Sequence, residues 1–473
     1  MNGNLIGILG YVVMQLVLGM VVAKTIRTED DFLLAGRRLG YGLATFSIFA
    51  TWFGAESCVG TAGAAYENGL AGVTADPFGY TICLILMGLM FAIPLWKLKL
   101  TTIADFFRRR YSISAERTTA LIMVPTSLLW AAAQIRAFGQ VLSASSDLQI
   151  QLAITIAAAV VIIYTSLGGL LADAITDIIQ GGVLIIGLVL VFFSVIGDLG
   201  GVSPAISMVD PDKLSFIPPS STSQLATIFT VAEAWAIPIC GSIVAQELVS
   251  RVLASRSPQI AQRSSFLASS LYFFVGMIPL TIGLIGFRLL PGLSDPEHVL
   301  PLMAQQHLSR VLYIIFAGAL VSAILSTVDS ALLAASALVS HNLIFSWRPQ
   351  LSDKKKLRFN RIGVIIMGMA AYAMALSAEG IYQLVKDASS FGSAGIFVVI
   401  MFGLFTTLGS HRSAMAALVS GAAVWLVFHY LLHFQWSYLL SLGAAFLSYL
   451  IIGLIERSLA KNPSYQMYPI VTQ

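Results

Sequence analysis

Apolar runs of about 20 residues, the length a helix needs to cross a bilayer, follow one another along almost the whole of this chain. No other feature narrows the folding options as much. Within hydrocarbon every backbone N–H and C=O must bond inside the protein, which leaves helices and closed barrels. Barrel strands alternate polar and apolar residues instead of staying apolar for a full span. The expected class is therefore an all-α integral membrane protein. Polar breaks divide the 473 residues into 13 candidate spans, at 4–23, 41–65, 73–96, 118–144, 150–166, 173–197, 225–248, 265–288, 310–344, 360–378, 381–407, 413–433 and 436–456. Composition agrees, with 57% apolar and only 11% charged residues, where soluble domains carry about 25% charged. A soluble globular protein, a disordered chain and a collagen-like fibre are excluded.

The distribution of lysine and arginine tests this division. The loops that should share one side, with the segment after 456, carry 22 basic residues, and the opposite loops carry only Lys213, Arg288 and Arg310. Cytoplasmic loops accumulate Lys and Arg. The N-terminus is therefore expected outside and the C-terminus in the cytoplasm, with the protein in the inner or plasma membrane. The first span lacks a basic start and an A-x-A site, so it reads as a retained helix and not a signal peptide. The net charge of +4 is spread over short loops. It makes no basic patch for nucleic acid.

Several functional classes find no support. There is no GxxxxGK[ST] phosphate loop for ATP-driven pumping. The six histidines show no HExxH spacing, and Cys58, Cys83 and Cys240 lie in apolar runs without a CxxC pair. They read as packing residues. No nucleophile–base pair or metal cluster marks an enzyme.

Charges inside a membrane are costly and call for a reason. The second span contains Trp52-Phe53-Gly54-Ala55-Glu56-Ser57-Cys58-Val59-Gly60. Its glycines allow the helix to unwind, and unwound carbonyls persist in a membrane only where they line a cavity or hold an ion. Small residues also suit close helix packing, but Glu56 does not. In the ninth span, Ala323 lies four residues before Thr327. One turn brings its carbonyl under the Thr327 hydroxyl, and Ser326 adds another oxygen. Hard oxygens suit a hard cation, although hydroxyls also bond back to their own helix. Asp173 reads as a solvated helix start, while Asp177 fits either a helix start or a cation path. Gln134, Arg136, Glu233, Lys386 and Asp387 also fall within spans, and Pro238 with Gly241 predicts a second break. Arg136 is a candidate partner for Glu56.

These residues resemble the sodium:solute symporter family. Asp30-Asp31-Phe32-Leu33-Leu34-Ala35-Gly36-Arg37-Arg38-Leu39-Gly40 is similar to its entry to the first core helix. Tyr164-Thr165-Ser166-Leu167-Gly168-Gly169, with Thr176, Asp177 and Gln180, is similar to its central signature. Arg251-Val252-Leu253-Ala254-Ser255 and Ser326-Thr327-Val328-Asp329-Ser330-Ala331-Leu332 resemble two later motifs, in the family's order. The resemblance implies a LeuT-type core of two inverted five-helix repeats, at 41–197 and 225–407. One extra helix would precede it at 4–23 and two would follow at 413–456, in one transporter domain. It implies a sodium site made by carbonyls of Ala50, Phe53 and Ala323 and hydroxyls of Ser326 and Thr327. Asp177 matches an aspartate on the sodium release path. Two departures leave the substrate open: Trp52 stands where the proline-transporting branch has aspartate, and Ser57 where the sugar and sialic-acid branches have glutamine.

The expectation is a sodium-coupled symporter that imports a small organic solute by alternating access. Glu56 and Arg136 favour an amino acid or a related zwitterion or carboxylate. The solute would meet Trp52, Glu56, Ser57, Gln134, Ser389, Ser390 and Ser393. Its partners would be Na+, the solute and the lipid bilayer, with no nucleic acid and no obligate protein partner. A membrane solute sensor and a proton-coupled transporter on the same fold are the alternatives. A sensor needs an output domain, for which 457–473 is too short.

Overall fold

A computed structural model describes residues 24–144, 148–217, 224–346, 350–377 and 381–459, with a few positions between 10 and 21. The expected span at 4–23 and the tail after 459 lie largely outside the described residues. Among the described residues the chain is helical, with one isolated backbone bridge, Leu39 to Ser255, and no strand. Among the described residues ten helices are long and apolar enough to cross a membrane.

The chain enters through a short helix, α1 (Glu29–Leu34), capped at Thr28, whose hydroxyl accepts from the Asp31 N–H while Asp31 bonds back to the Thr28 N–H. The second expected span is interrupted. α2 (Tyr41–Trp52) stops, and α3 (Thr61–Asn68) resumes the direction after a wide turn at Glu56–Gly60. Next come α4 (Thr74–Lys97) and α5 (Ile113–Ala144). α6 (Ile150–Asp198) takes the place of two expected spans and bends at Gly169, which has φ 57° and ψ −176°. A Cβ there would lie 2.7 Å from the Phe32 ring and 2.9 Å from its carbonyl. Only glycine permits both that backbone and that contact with α1.

The second break also forms. α7 (Gln224–Gly241) ends at the predicted Pro238/Gly241 site, and α8 (Gln246–Ala254) follows. α9 (Pro258–Leu289), α10 (Arg310–Phe345) and α11 (Asp353–Ser377) are long helices. The expected span 381–407 is split at Gly392 (φ 64°) into α12 (Ile381–Ser390) and α13 (Ser393–Phe405). α14 (His411–Leu431) and α15 (Ser437–Leu459) form an antiparallel pair at the end.

Polarity is arranged for a bilayer. Large apolar side chains point outward, with Phe274 71% and Phe193 66% exposed, whereas Ser264, Thr119 and Gln180 are fully buried. In water such an outer surface would aggregate, and in lipid it is the favourable side. The last helix pair is fastened to the core by Glu233 of α7. Its carboxylate accepts from the N–H groups of Tyr438 and Leu439, at 2.8 and 2.7 Å. These are among the first amides of α15, which have no partner within their own helix.

The end of the bundle carrying α1 is held by a cluster of charges. His341 Nδ1 lies 2.7 Å from Glu29 Oε1, and its Nε2 lies 3.3 Å from Asp105 Oδ1. Lys356 reaches Glu29 Oε2 at 3.2 Å. Burial pushes the Glu29 and Asp105 carboxyls up, but His341, with Lys356 at Glu29 and loop amides at Asp105, outweighs it and leaves both below their ordinary values. Carboxylates held low stabilise the fold fully above the ordinary range of about 4, and the gain is lost as pH falls through the lowered folded values. Glu29→Gln and Asp105→Asn should therefore destabilise the protein near neutrality. In detergent melts the gap from wild type should shrink as pH drops below 4. A gap independent of pH would contradict this.

Candidate functional site

Helix α2 ends inside the protein, and its last carbonyls must find partners outside the helix. Its last regular bond runs from the Phe53 N–H to the Phe49 carbonyl, at 3.0 Å. Beyond that, Phe53 leaves the helical region, with φ −86° and ψ 68°. The Ala50 carbonyl turns to α10, where the Thr327 hydroxyl lies 3.2 Å from it and 3.2 Å from the Ala323 carbonyl. A hydroxyl has one proton, so one of these two carbonyls always has lone pairs to spare. Ser326, the neighbouring residue, donates to Asp177 Oδ1 on α6. The five residues expected to hold sodium are all buried, and three of them, Ala50, Ala323 and Thr327, meet where the broken helix crosses α10.

Gly54 marks the centre of this region. A Cβ on it would lie 2.7 Å from Thr327 Oγ1 and 2.8 Å from both Gln134 Oε1 and Glu56 Oε2. Three polar side chains from α5, α10 and the turn after α2 thus converge on the space a methyl group would fill. Gln134 bridges the break, accepting from the Ala55 N–H at 3.1 Å and donating to Glu56 at 2.5 Å. Arg136 takes a different direction from the expected pairing with Glu56: its guanidinium donates to the Ala375 carbonyl on α11, at 3.3 Å.

The Trp52 carbonyl serves a second cluster. The Ser57 hydroxyl lies 3.0 Å from it, 2.5 Å from Asp76 Oδ2 and 2.7 Å from the Tyr272 hydroxyl. Above this cluster sits an aromatic box. The Trp52 ring is 5.3 Å from Tyr80 and 6.5 Å from Trp130, Tyr80 is 6.3 Å from Trp130, and Tyr272 meets Tyr80 edge-on at 6.2 Å. The box lies between two cavities. One, of about 960 Å³, is lined by Glu56, Asp76 and Tyr80 together with Asp210, Asp295 and Trp436. Eight acidic side chains line it, against Arg136, Lys213 and Lys386. The other, of about 20 Å³, is lined by Trp130, Glu247 and Ser389.

Of the expected solute contacts, Trp52, Glu56, Ser57 and Gln134 come together around the break. Ser389 joins them, its hydroxyl 3.3 Å from Tyr80 and 3.3 Å from Ser242. Ser390 bonds to its own helix at the Lys386 carbonyl, at 2.8 Å. Ser393 bonds to the Ser389 carbonyl at 2.7 Å and faces the Tyr438 hydroxyl at 3.4 Å. Asp76, Tyr80, Trp130 and Tyr272 were not among the expected residues. The signal for Asp76 was an acid inside the apolar run 73–96, next to Pro77. The three rings carry no such mark, since aromatics fill most spans.

Around Asp177 the structure differs from the sequence reading of its neighbours. Asp173 is buried, not solvated, and forms an ion pair with Arg251 of α8, which is itself buried. Ser330 also donates to Asp173, at 3.2 Å, and Asp329 accepts from Thr165. Three buried aspartates thus share the field of one guanidinium.

Known proteins are similar to this chain in sequence and in fold. A human high-affinity choline transporter is 29% identical over 83% of this chain and 70% of its own length. An osmoregulated proline transporter of Bacillus subtilis is 24% identical over 98% of this chain and 96% of its own. The solved structure of a Na+-coupled sialic acid symporter in a substrate-bound outward-open state superposes with a TM-score of 0.82, at 19% identity, covering 98% of this chain and 99% of that one. The sequence model of the sodium:solute symporter family matches residues 32–421. Matched over that length, and sharing the fold of a sodium-coupled symporter, the chain belongs to the sodium:solute symporter family.

Proposed function

We propose that this protein imports a small organic solute bearing a quaternary or protonated amine, choline being the first to test, by symport with sodium. The observation that carries the solute class is the aromatic box of Trp52, Tyr80 and Trp130, which meets the acidic cavity at Tyr80. Ring faces attract cations, and quaternary ammonium groups are recognised by such boxes. Carboxylates lining a cleft raise the local concentration of cations before they bind. This moves the preferred solute from the zwitterion or carboxylate read from Glu56 and Arg136 towards a cation.

In this reading ten of the thirteen spans form two inverted five-helix repeats, 41–197 and 225–407, and the 22 basic residues of the inner loops support an outward-facing acidic cavity. Sodium binds to the Ala50, Phe53 and Ala323 carbonyls and the Ser326 and Thr327 hydroxyls, joining α2 to α10. The solute descends to the box beside Glu56, Ser57, Gln134 and Ser389. The rings block the path to the smaller cavity until the bundle rearranges, and Asp177, bonded to Ser326, lies on the sodium exit. Binding can shift the two states only by its differential affinity for them.

Uptake of labelled choline into proteoliposomes should require an inward sodium gradient. Cation–π contacts at desolvated sites are worth about 2 kcal/mol, so Trp130→Ala should weaken choline roughly thirtyfold. Sodium-driven uptake of proline with no response to choline would reject the cation reading. It would favour a carboxylate-bearing zwitterion, the second reading, which the basic Arg136 and Lys386 on the cavity wall support.

A further inference from the structure

The smaller cavity holds a charge that its walls do not balance. Trp130 lines this cavity and not the larger one, while Tyr80 lines the larger one and not the smaller. The rings of the box are thus a partition with a cavity on each face. Ser389, at the end of α12, and Ala245 and Glu247, at the start of α8, complete the wall opposite Trp130. Among the described residues lining it, Glu247 is the one charged side chain.

Glu247 is 8% exposed. The Ser127 hydroxyl of α5 donates to its Oε1 at 2.6 Å. Among the described residues no ion pair reaches it. Arg251 stands one turn further along α8, but its guanidinium is given to Asp173 and Ser330, and it meets Glu247 at the main-chain carbonyl, at 3.2 Å. The dipole of α8 favours an acid in its first turn. It does not call for one walled in beside an indole ring, where an unpaired charge is costly. The free volume of about 20 Å³ admits one water-sized particle. A larger ammonium group therefore reaches this carboxylate after the rings have parted, and not before.

We propose that Glu247 is a release-side subsite, whose carboxylate receives the cationic head of the solute once it has passed the rings of Tyr80 and Trp130. The inference deepens the cationic-solute reading above and rests on it. The acids of the larger cavity gather the cation, the ring faces hold it, and Glu247 supplies a counter-charge beyond them. Without that acid, a cation leaving the rings would enter a space walled by hydroxyls and apolar side chains alone. One carboxylate on this face against eight on the other makes it the weaker binder, which favours release.

The test has two readouts on the full chain, in inverted and right-side-out membrane vesicles. In the first, Cys58, Cys83 and Cys240 are replaced by alanine, and Ala245→Cys places a thiol on the wall of the smaller cavity. A trimethylammonium thiosulfonate and a sulfonate reagent of similar size are applied from the cytoplasmic face without sodium. The ratio of their labelling rates should fall about tenfold when Glu247→Gln is added. In the second, Glu247→Gln in the otherwise unaltered chain should raise the choline concentration for half-maximal transport from the cytoplasmic face about tenfold, and that from the outer face less than about twofold. Melting close to that of wild type verifies that the variant is folded. If it does not fold, the chain that retains Glu247 still decides, because tetramethylammonium at the cytoplasmic face should slow labelling of the Ala245→Cys thiol. An unchanged labelling ratio, equal effects on choline at both faces, or no slowing by tetramethylammonium overturns the subsite. So does uptake driven by an imposed pH gradient and lost in Glu247→Gln, which would make Glu247 a proton carrier. If wild type carries no choline from either face, the solute reading fails, and the labelling ratio still decides whether Glu247 acts on cations.

Discussion

Thr327→Ala should raise the sodium concentration needed for half-maximal uptake by about ten- to a hundredfold, because interactions of a hydroxyl with a charged group are worth about 1.5–3 kcal/mol. The hydroxyl lies 3.2 Å from the carbonyls of Ala50 and Ala323, on two different helices. Its loss would remove one proposed sodium ligand and the contact that joins the broken end of α2 to α10. Thr327→Ser keeps the oxygen and should restore most of the affinity. Sodium dependence unchanged in the alanine variant would remove the site. The serine variant separates a ligand role from mere packing, since serine lacks the methyl but retains the oxygen.

Arg251→Met should have the largest effect on stability. Arg251 is 1% exposed and paired with Asp173, which is 2% exposed. Removing one member of a buried pair leaves an uncompensated charge and typically costs about 3–5 kcal/mol. The loss is felt beyond Asp173, because Asp177 and Asp329 share the same guanidinium field. Arg251→Met should therefore lower the melting temperature or prevent recovery of a monodisperse protein in detergent. Adding Asp173→Asn to it should recover part of the loss. A single variant that melts like wild type would show that the pair contributes little.

What could be read from the sequence was what depends on neighbours along the chain. Hydropathy located most of the long apolar helices because each is one continuous run, though two expected spans are the single helix α6 and the expected span 381–407 is split at Gly392. The Ala323–Thr327 contact was legible because four residues make one helical turn. The breaks near Gly54 and Gly241 were legible because glycine and proline remove what holds a helix straight. The box was not, because Trp52, Tyr80 and Trp130 come from three helices and none differs in type from the aromatics that face lipid. Asp173 and Arg251 are 78 positions apart, and no local pattern joins them. Each alone reads as an ordinary polar residue near a membrane boundary. Burial changed their meaning, and burial is a property of the assembled bundle.

The bond between Glu233 and the start of α15 couples two parts of the protein that connectivity alone would leave independent. A helix whose leading amides rest on a carboxylate is tethered to whatever carries that carboxylate, and here the carrier is the broken helix α7. If α7 tilts during transport, the terminal hairpin must ride with it or exchange both amides for water. Each such bond to a charged group is worth about 1.5–3 kcal/mol. Riding along would then be the cheaper course, and the last two helices would be carried as ballast wherever α7 goes.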